Sequence, residues 1–430
     1  MPSRRNVLGG ALLTTMASTT AFSADADGFE AARLEADMVH YSGLGIHQTG
    51  GAGDLATGDW IAARMAQMGL VVDRMPIDAP FFEPLVCQIG FGSETVPGLP
   101  QFPVTPTLGA GLAAPLAIRR DASDDAGLKG KIAVLQLPYA RHSSLMSPPV
   151  EAAFRAAAAA SARGIVAITN GPSGEALALN APDGPVFGAL PAIVVGPRAA
   201  RPLVAAALAG APATLTLTGK GGRRTSANII GERKGTGRRV VITTPLSGWF
   251  NCAAERGSGI AAFLAIIPWL LKAHPDVHLT CAGMVGHEFE NLGSEAFIEH
   301  RAPKPDEVDL WLHFGAGYAS RDWHDGDRLS PQGTADGQRY LLVSPEMMTL
   351  VKPHMAGLPG FGSPFPATVA GAAGEAKTIL SAGFQRVIAN FGSHRLHHAQ
   401  TDLPNATTGE LIATTVRATR NAVDAWLSRA

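Results

Sequence analysis

Carboxylate and imidazole side chains follow each of four predicted β-strands in the second half of this sequence. The strands are predicted at residues 240–243, 278–285, 309–313 and 386–390. In an open α/β sheet, ligands bind beyond the carboxyl ends of the strands, so these side chains are expected to share one edge. The residues that end or follow the strands are, in chain order, Glu255, His287, Glu288, His313 (the last residue of its strand), His394, His397 and His398.

Carboxylate oxygens and imidazole nitrogens are donors that suit zinc, and three such protein ligands leave one position open for water. A bound zinc ion lowers the pKa of that water and polarises a carbonyl group. The residue types at these strand ends therefore predict metal-assisted hydrolysis of an amide.

Apolar runs of strand length alternate with runs of helical periodicity over much of the chain. Helices are predicted at residues 55–68, 257–272 and 408–428. The continuous apolar run at 260–267 predicts that the second of these helices is buried on most sides. Strands that alternate with helices predict an α/β fold with a mostly parallel sheet sandwiched by helices.

A segment in the first half of the chain has a different composition and no cluster of acidic and histidine residues. It contains an alanine-rich helix at 150–163, and its strands are predicted at 131–135, 164–168, 191–195 and 215–218. A linker rich in proline and glycine at 97–116 precedes it, and a basic, glycine-rich hinge at 219–224 follows it. We expect this segment to be a β-rich lobe without chemistry of its own.

The first 26 residues have the pattern of a twin-arginine export signal. Arg4 and Arg5 precede a weakly apolar stretch at 9–22, and a small-x-small cleavage pattern lies at 24–26. The apolar stretch is too short to span a bilayer, so no stable membrane insertion is expected. The protein is therefore predicted to be periplasmic or secreted.

Composition limits the classes of partner. The 430 residues are 46% hydrophobic and 17% charged, as in a compact globular protein, and the formal net charge is -1. This balance argues against nucleic-acid binding. The three cysteines do not require a disulfide framework.

Several short motifs together resemble one family of enzymes. They are residues 46–72, 226–231, Gly257-Ser258-Gly259-Ile260, Gly286-His287-Glu288, Leu292-Gly293-Ser294, and His398 with Asp402. They resemble the M28 zinc aminopeptidases, the group that also includes glutaminyl cyclases. Residues 128–132 and 190–193 resemble a protease-associated domain. The resemblance implies a zinc-exopeptidase-like fold at 27–114 and 223–430, with a β-rich protease-associated domain inserted at 115–222.

The same resemblance implies roles for individual residues. Glu255, Glu288 and His398 match positions of metal ligands. His287 stands at the position of the general-base glutamate. His313 replaces a further aspartate, and it is either a fourth ligand or a neutral donor to a substrate oxygen.

The departures from the family pattern reduce the expected metal content to one zinc ion. Two-zinc members have a histidine and an aspartate where this chain has Pro245 and Ser247. Neither residue replaces what is lost. The bulky neighbours Trp249 and Phe250 are predicted to contact the substrate in a reshaped pocket, or else to fill the pocket.

Each of these assignments has a structural alternative. Glu255 can pair with Arg256 or cap the following helix, and His313 can be a histidine satisfied at a strand end. Histidine at position 287 either serves as a base near neutral pH or marks the loss of hydrolysis. His394 and His397 are interpreted as loop residues rather than ligands.

The sequence thus predicts an exported zinc-dependent hydrolase of the aminopeptidase type, acting on a small peptide or a peptide-like amide. A catalytically inactive protein of the same fold that binds peptides or a partner is the first alternative. A repurposed cyclase or lyase is the second.

Overall fold

The computed structural model describes residues 28–141, 144–325 and 328–429. Its α-helices are α1 (Ala31–Gly43), α2 (Ala52–Gln67), α3 (Pro148–Ala159), α4 (Pro197–Leu208), α5 (Ser258–Ala273), α6 (Leu292–His300), α7 (Met348–Val351), α8 (Gly374–Ser381) and α9 (Gly409–Leu427). Its strands are β1 (Val71–Phe91), β2 (Glu94–Pro97), β3 (Leu99–Pro100), β4 (Leu112–Arg119), β5 (Ile132–Tyr139), β6 (Gly164–Asn170), β7 (Ala192–Val195), β8 (Pro212–Arg233), β9 (Arg239–Pro245), β10 (His278–Met284), β11 (Leu310–His313), β12 (Arg321–His324), β13 (Ser330–Ala335), β14 (Arg339–Val343), β15 (Phe365–Pro366) and β16 (Val387–Gly392). The predicted signal segment at 1–26 lies outside these residues.

One large mixed sheet runs through the described part of the protein. The strand order along it is β15-β14-β16-β11-β9-β10-β8-β4-β5-β6-β7-β3. The strands β16, β11, β9 and β10 are parallel neighbours, and β4, β5, β6 and β7 form a second parallel run. The predicted α/β class is confirmed, and the carboxyl ends of the four parallel strands β16, β11, β9 and β10 meet at one edge.

Both faces of the sheet are covered by apolar side chains. Side chains alternate between the two faces of a strand, and in β9 they belong to two separate apolar clusters. Val240 and Ile242 pack in the cluster that includes residues of α1, α5 and α9, whereas Val241 packs with Phe297 of α6 and Ile379 of α8. The sheet is therefore sandwiched by helices, as predicted.

The helix α5 is the most apolar of these covering elements. Together with a π-helical turn before it, it forms a 21-residue helix, Ala253–Ala273, that alone among the described helices is long and apolar enough to cross a membrane. However, 83% of its most apolar window is buried inside the protein. This agrees with the predicted burial on most sides.

The prediction of a hinge at 219–224 is wrong. These residues lie in the middle of β8, which pairs with β1 without a break from Phe91↔Ala213 to Val71↔Glu232 except for one register shift near Pro84. A Cβ atom on Gly219 would lie 2.2 Å from the carbonyl oxygen of Glu83. The glycine is thus needed because two backbones approach closely, which is a common reason for glycine within a strand.

The strand β8 joins the two halves of the sheet, because it pairs with β4 near its amino end and with β10 near its carboxyl end, while β1 pairs along its other edge. The predicted helix at 150–163 and the predicted strands at 131–135, 164–168 and 191–195 are present as α3, β5, β6 and β7. They continue the same sheet, and no separate protease-associated domain is evident. The boundaries at 115 and 222 stay a prediction.

Candidate functional site

The candidate site begins at the turn that leads into α5. Cys252 has a left-handed backbone (φ 46°), and Ala253–Gly257 form the π-helical turn that follows it. The carboxylate of Asp402 accepts hydrogen bonds from the backbone N–H groups of Ala254 (2.9 Å) and Glu255 (3.0 Å). Asp402 therefore fixes the backbone from which Glu255 projects, close to the carboxyl ends of β9 and β11.

Glu255, His397 and His398 form a group of three buried donors. One carboxylate oxygen and one nitrogen from each ring all lie within 4.8 Å of one another. The Nδ1 atom of His398 donates to the carbonyl oxygen of Ala178 at 2.8 Å, and its Nε2 atom lies 3.6 Å from Oε1 of Glu255. Among the described residues this is the group whose donors and spacing suit a metal ion.

His397 belongs to this group, although the sequence analysis interpreted it as a loop residue. The residue after it, His398, has a positive φ of 57°. This backbone turns both side chains to the same side, and the two rings stack with their centroids 4.3 Å apart. Such a conformation is uncommon for a residue other than glycine and is often found at functional sites.

Arg256 forms a completely buried ion pair with Glu255. Its Nη2 atom lies 2.8 Å from Oε1 of Glu255, and its Nε–H donates to the carbonyl oxygen of Ser247. Burial by itself would raise the pKa of Glu255, but Arg256 and then the neighbouring histidines lower this pKa to about 2. The alternative that Glu255 pairs with Arg256 is thus realised within the candidate metal group.

Glu288 lies outside the group of three donors, in contrast to the predicted ligand set. Its Oε1 atom accepts from the backbone N–H of Thr49 at 2.9 Å, and its Oε2 atom accepts from the hydroxyl of Ser247 at 2.6 Å. The hydroxyl oxygens of Thr49 and Ser247 in turn accept hydrogen bonds from the backbone N–H of Gly286. The hydrogen bonds of Thr49 and Ser247 therefore satisfy the carboxylate that was expected to bind metal.

A cavity of about 170 Å³ adjoins the metal group, and His397 lines both. The wall also includes His287, His313, Tyr340 and Phe391, and it includes Glu375 at the start of α8. A larger open groove of about 730 Å³ lies elsewhere, beside β1 and β8, and contains no histidine or cysteine. The smaller cavity is thus the one that carries chemistry.

His287 and Glu375 form a buried pair in this cavity. The Nδ1 atom of His287 lies 2.7 Å from Oε1 of Glu375. Burial would raise the pKa of Glu375, but the adjacent His287 and then His313 hold it far below its ordinary range. Glu375 was not predicted from the sequence, because a single glutamate after a glycine gives no signal of a partner at position 287.

His313 is buried on the same cavity wall and is not one of the three donors of the metal group. Its Nδ1 atom lies 3.0 Å from the hydroxyl oxygen of Thr243, and its Nε2 atom lies 3.9 Å from Oε2 of Glu375. Burial lowers the pKa of His313 to about 4. The ring is therefore neutral at pH 7, a form that suits both a donor and a metal ligand, so the choice between the two alternatives stays a prediction.

Trp249 and Phe250 do not line this cavity. The indole N–H of Trp249 donates to Asn180 at 2.8 Å, and its ring packs against Phe102 and Phe289 with centroids 5.4 and 6.0 Å away. Phe250 is also buried. Both side chains fill space inside the protein, which agrees with the alternative that they fill the pocket. Their contact with substrate stays a prediction.

A buried carboxylate near the site is expected to make stability depend on pH. Asp54 accepts from the backbone N–H of Gly50 (2.8 Å) and the hydroxyl of Ser226 (2.6 Å), and burial raises its pKa to about 7. Because the folded state then holds a proton that the unfolded state releases near pH 4, this group should reduce stability as the pH rises from about 4 to 7. Each pKa unit corresponds to about 1.4 kcal/mol.

Asp54→Asn is therefore expected to gain stability relative to the unsubstituted protein, by roughly 4 kcal/mol between pH 4 and pH 7. Urea unfolding at a series of pH values would measure this difference. Asp59→Asn, which changes an exposed aspartate on the same helix, is the control. If the free energy of unfolding of the protein and of Asp54→Asn depended on pH in the same way, Asp54 would be ionised in the folded state.

Comparison with known proteins identifies the fold. No family model and no curated protein matches the sequence. Among solved structures, a zinc aminopeptidase from Bacillus subtilis is 19% identical with a TM-score of 0.71, covering 92% of this chain and 94% of that one. The peptidase M28 precursor from Shewanella amazonensis is 18% identical (TM-score 0.71; 92% and 94% covered), and an aminopeptidase from Aneurinibacillus sp. strain AM-1 is 16% identical (TM-score 0.67; 93% and 95% covered).

These matches cover 92–93% of this chain. The protein therefore has the zinc-exopeptidase-like fold of the M28 aminopeptidases. At these identities the comparison concerns the fold, and the chemistry depends on the residues of the site.

Proposed function

We propose that this protein is a zinc-dependent hydrolase of peptides or peptide-like amides, with one zinc ion held by Glu255, His397 and His398. The observation that carries the proposal is the convergence of these three donors, within 4.8 Å, beside a cavity of about 170 Å³. The aminopeptidase fold supports the class of substrate.

The donor set fits zinc by its chemistry. Two imidazoles and one carboxylate form a ligand combination that is common in catalytic zinc sites, where the fourth position is open. His398 also has the supporting hydrogen bond that orients many zinc-bound histidines, since its Nδ1–H donates to the carbonyl of Ala178. When bound, zinc supplies a water of lowered pKa and polarises the scissile carbonyl.

The chain's own residues supply the proton transfer and the shape of the site. His287 lines the cavity and is held by Glu375, so it is placed to accept a proton from water during attack on the amide. The cavity is smaller than the pockets that hold drug-sized ligands. It therefore suits one small side chain of a peptide rather than an extended ligand.

A second candidate is a metal-free protein that keeps the fold and binds peptides. The observation that favours it is the buried contact of 2.8 Å between Arg256 and Glu255. A guanidinium group already neutralises the carboxylate, so the site holds a cation of its own. Metal content separates the two candidates.

Protein purified without chelator is expected to contain one zinc per chain by elemental analysis. His398→Ala should lose it, because two remaining donors do not fix a tetrahedral site. Glu288→Gln should keep it, since Glu288 lies outside the donor group. His274→Ala, which changes a distant histidine paired with Asp424, is the matched control.

Folded protein without zinc would support the metal-free candidate. Loss of zinc from Glu288→Gln would instead restore the ligand set implied by the sequence motifs.

The remaining sequence predictions belong to the same proposal. We propose that residues 1–26 direct export through the twin-arginine route, and that the mature protein acts in the periplasm or outside the cell. Arg4 and Arg5, followed by the small-x-small pattern at 24–26, support this.

A further inference from the structure

Two histidines in the cavity are each held at Nδ1 by a different kind of partner. His287 is held by the carboxylate of Glu375 at 2.7 Å, and His313 by the hydroxyl of Thr243 at 3.0 Å. All three ionisable groups line the same cavity of about 170 Å³. The two partners impose opposite positions of the ring proton.

Glu375 requires the proton of His287 to be on Nδ1. An ionised carboxylate only accepts hydrogen bonds, and Glu375 remains ionised because the two adjacent histidines hold its pKa far below its ordinary range, against the effect of burial. Whenever the ring of His287 is neutral, its lone pair is therefore on Nε2. This atom is an acceptor.

Thr243 favours the opposite arrangement in His313. The hydroxyl oxygen of Thr243 already accepts the indole N–H of Trp311 at 2.9 Å. With one lone pair of this oxygen occupied, donation of its own hydrogen to Nδ1 of His313 is favoured, and this arrangement places the ring proton on Nε2. Since His313 is neutral at pH 7, it donates one hydrogen from Nε2. The distance of 3.9 Å from this atom to Oε2 of Glu375 is too long for a hydrogen bond.

We propose that His287 and His313 form a paired acceptor and donor for an acyl group in the cavity, and that Glu375 and Thr243 are the positioning residues that fix their tautomers. The inference rests on the proposed amide hydrolysis and deepens it. It assigns a carboxamide with a small acyl side chain as the ligand, because its carbonyl oxygen accepts from His313 while the attacking water donates to His287.

The step that follows is balanced within the site. The water oxygen bonds to the carbonyl carbon, and its proton moves to Nε2 of His287. When the C–N bond breaks, His287 returns this proton to the leaving nitrogen. A carboxylic acid and an amine result, and no oxidant or reductant is needed.

A second metal ion is a weaker explanation for the same residues. Within the described chain, the close group of metal donors is Glu255, His397 and His398, and it does not include His287, His313 or Glu375. The carboxylate of Glu375 is also engaged by His287. The geometry instead supports proton positions fixed by hydrogen bonds.

Nitrogen NMR of the full chain labelled with ¹⁵N-histidine tests the inference without any substrate. His287→Gln and His313→Gln identify the two rings, and the chemical shifts of each ring report which nitrogen carries the proton. At pH 7 the expected result is protonation at Nδ1 in His287 and at Nε2 in His313. Glu375→Gln should convert only His287 to a mixture of tautomers. Thr243→Val should convert only His313 to a mixture of tautomers.

Thr244→Val is the matched control, because the neighbouring hydroxyl bonds to the carbonyl of Phe314 and to neither ring. The same tautomer in both rings of the unsubstituted protein would overturn the inference, and so would unchanged spectra in folded Glu375→Gln and Thr243→Val. The hydrolysis of small aminoacyl amides is measured separately. Absence of hydrolysis together with the expected spectra would refute the proposed function but not the fixed tautomers.

Discussion

Arg256→Met is expected to destabilise the zinc-free protein by about 3–5 kcal/mol, because it leaves the buried carboxylate of Glu255 without its cation. In the native protein the side chains of both residues are almost completely buried, and Nη2 of Arg256 lies 2.8 Å from Oε1 of Glu255. Added zinc should restore much of this loss, since an ion on Glu255 neutralises the same charge. Chemical unfolding with and without zinc, after removal of bound metal by chelator, measures both effects.

The zinc-induced gain should be larger in Arg256→Met than in the unsubstituted protein. Arg256 competes with the ion for Glu255, and stabilisation by a ligand increases with its affinity for the folded state. Arg301→Met, which breaks a partly exposed pair with Asp73, should cost at most about 1 kcal/mol. A similarly small cost for Arg256→Met without zinc would mean that Glu255 is protonated or already solvated.

His287→Gln is expected to lower amide hydrolysis by about 10²- to 10⁴-fold while zinc remains bound. This is the usual range for the removal of a general base, and His287 is not one of the three metal donors. The assay pairs steady-state hydrolysis of aminoacyl amides with elemental analysis of the same sample.

His324→Gln, at an exposed histidine on β12, is the control for loss of an imidazole. Activity within about threefold of the original in zinc-loaded His287→Gln would place the base elsewhere. Loss of zinc together with activity would show that His287 has a structural role in the metal site.

The sequence predicts much of the fold because the decisive signals are local. The apolar strands and the buried helix that became β9, α5, β10 and β11 are continuous runs of residues, and their order determines which strand ends meet at one edge. The segment at 219–224 shows where such reasoning fails. Composition alone does not distinguish glycine that permits bending from glycine that permits close approach of two strands, as at Gly219.

The site was only partly predictable, for reasons of contact and backbone conformation. Glu288 is held by Thr49, which belongs to a loop before α2 and is far away in the sequence. Glu375 meets His287 only after the chain has folded around α8. His397 joins the metal group because the left-handed backbone of His398 turns both rings to one side.

The long pairing of β1 with β8 has a consequence for how this chain folds. Contacts between residues that are distant in sequence are slow to form, because a long loop must close first. β1 is made early, but β8 is made only after β4, β5, β6, β7 and the helices between them. Much of β1 is therefore unpaired until about half of the chain has been synthesised. The sheet can then grow in both directions from β8. The strands β9, β10, β11 and β16, whose carboxyl ends carry the candidate site, are all synthesised after β8.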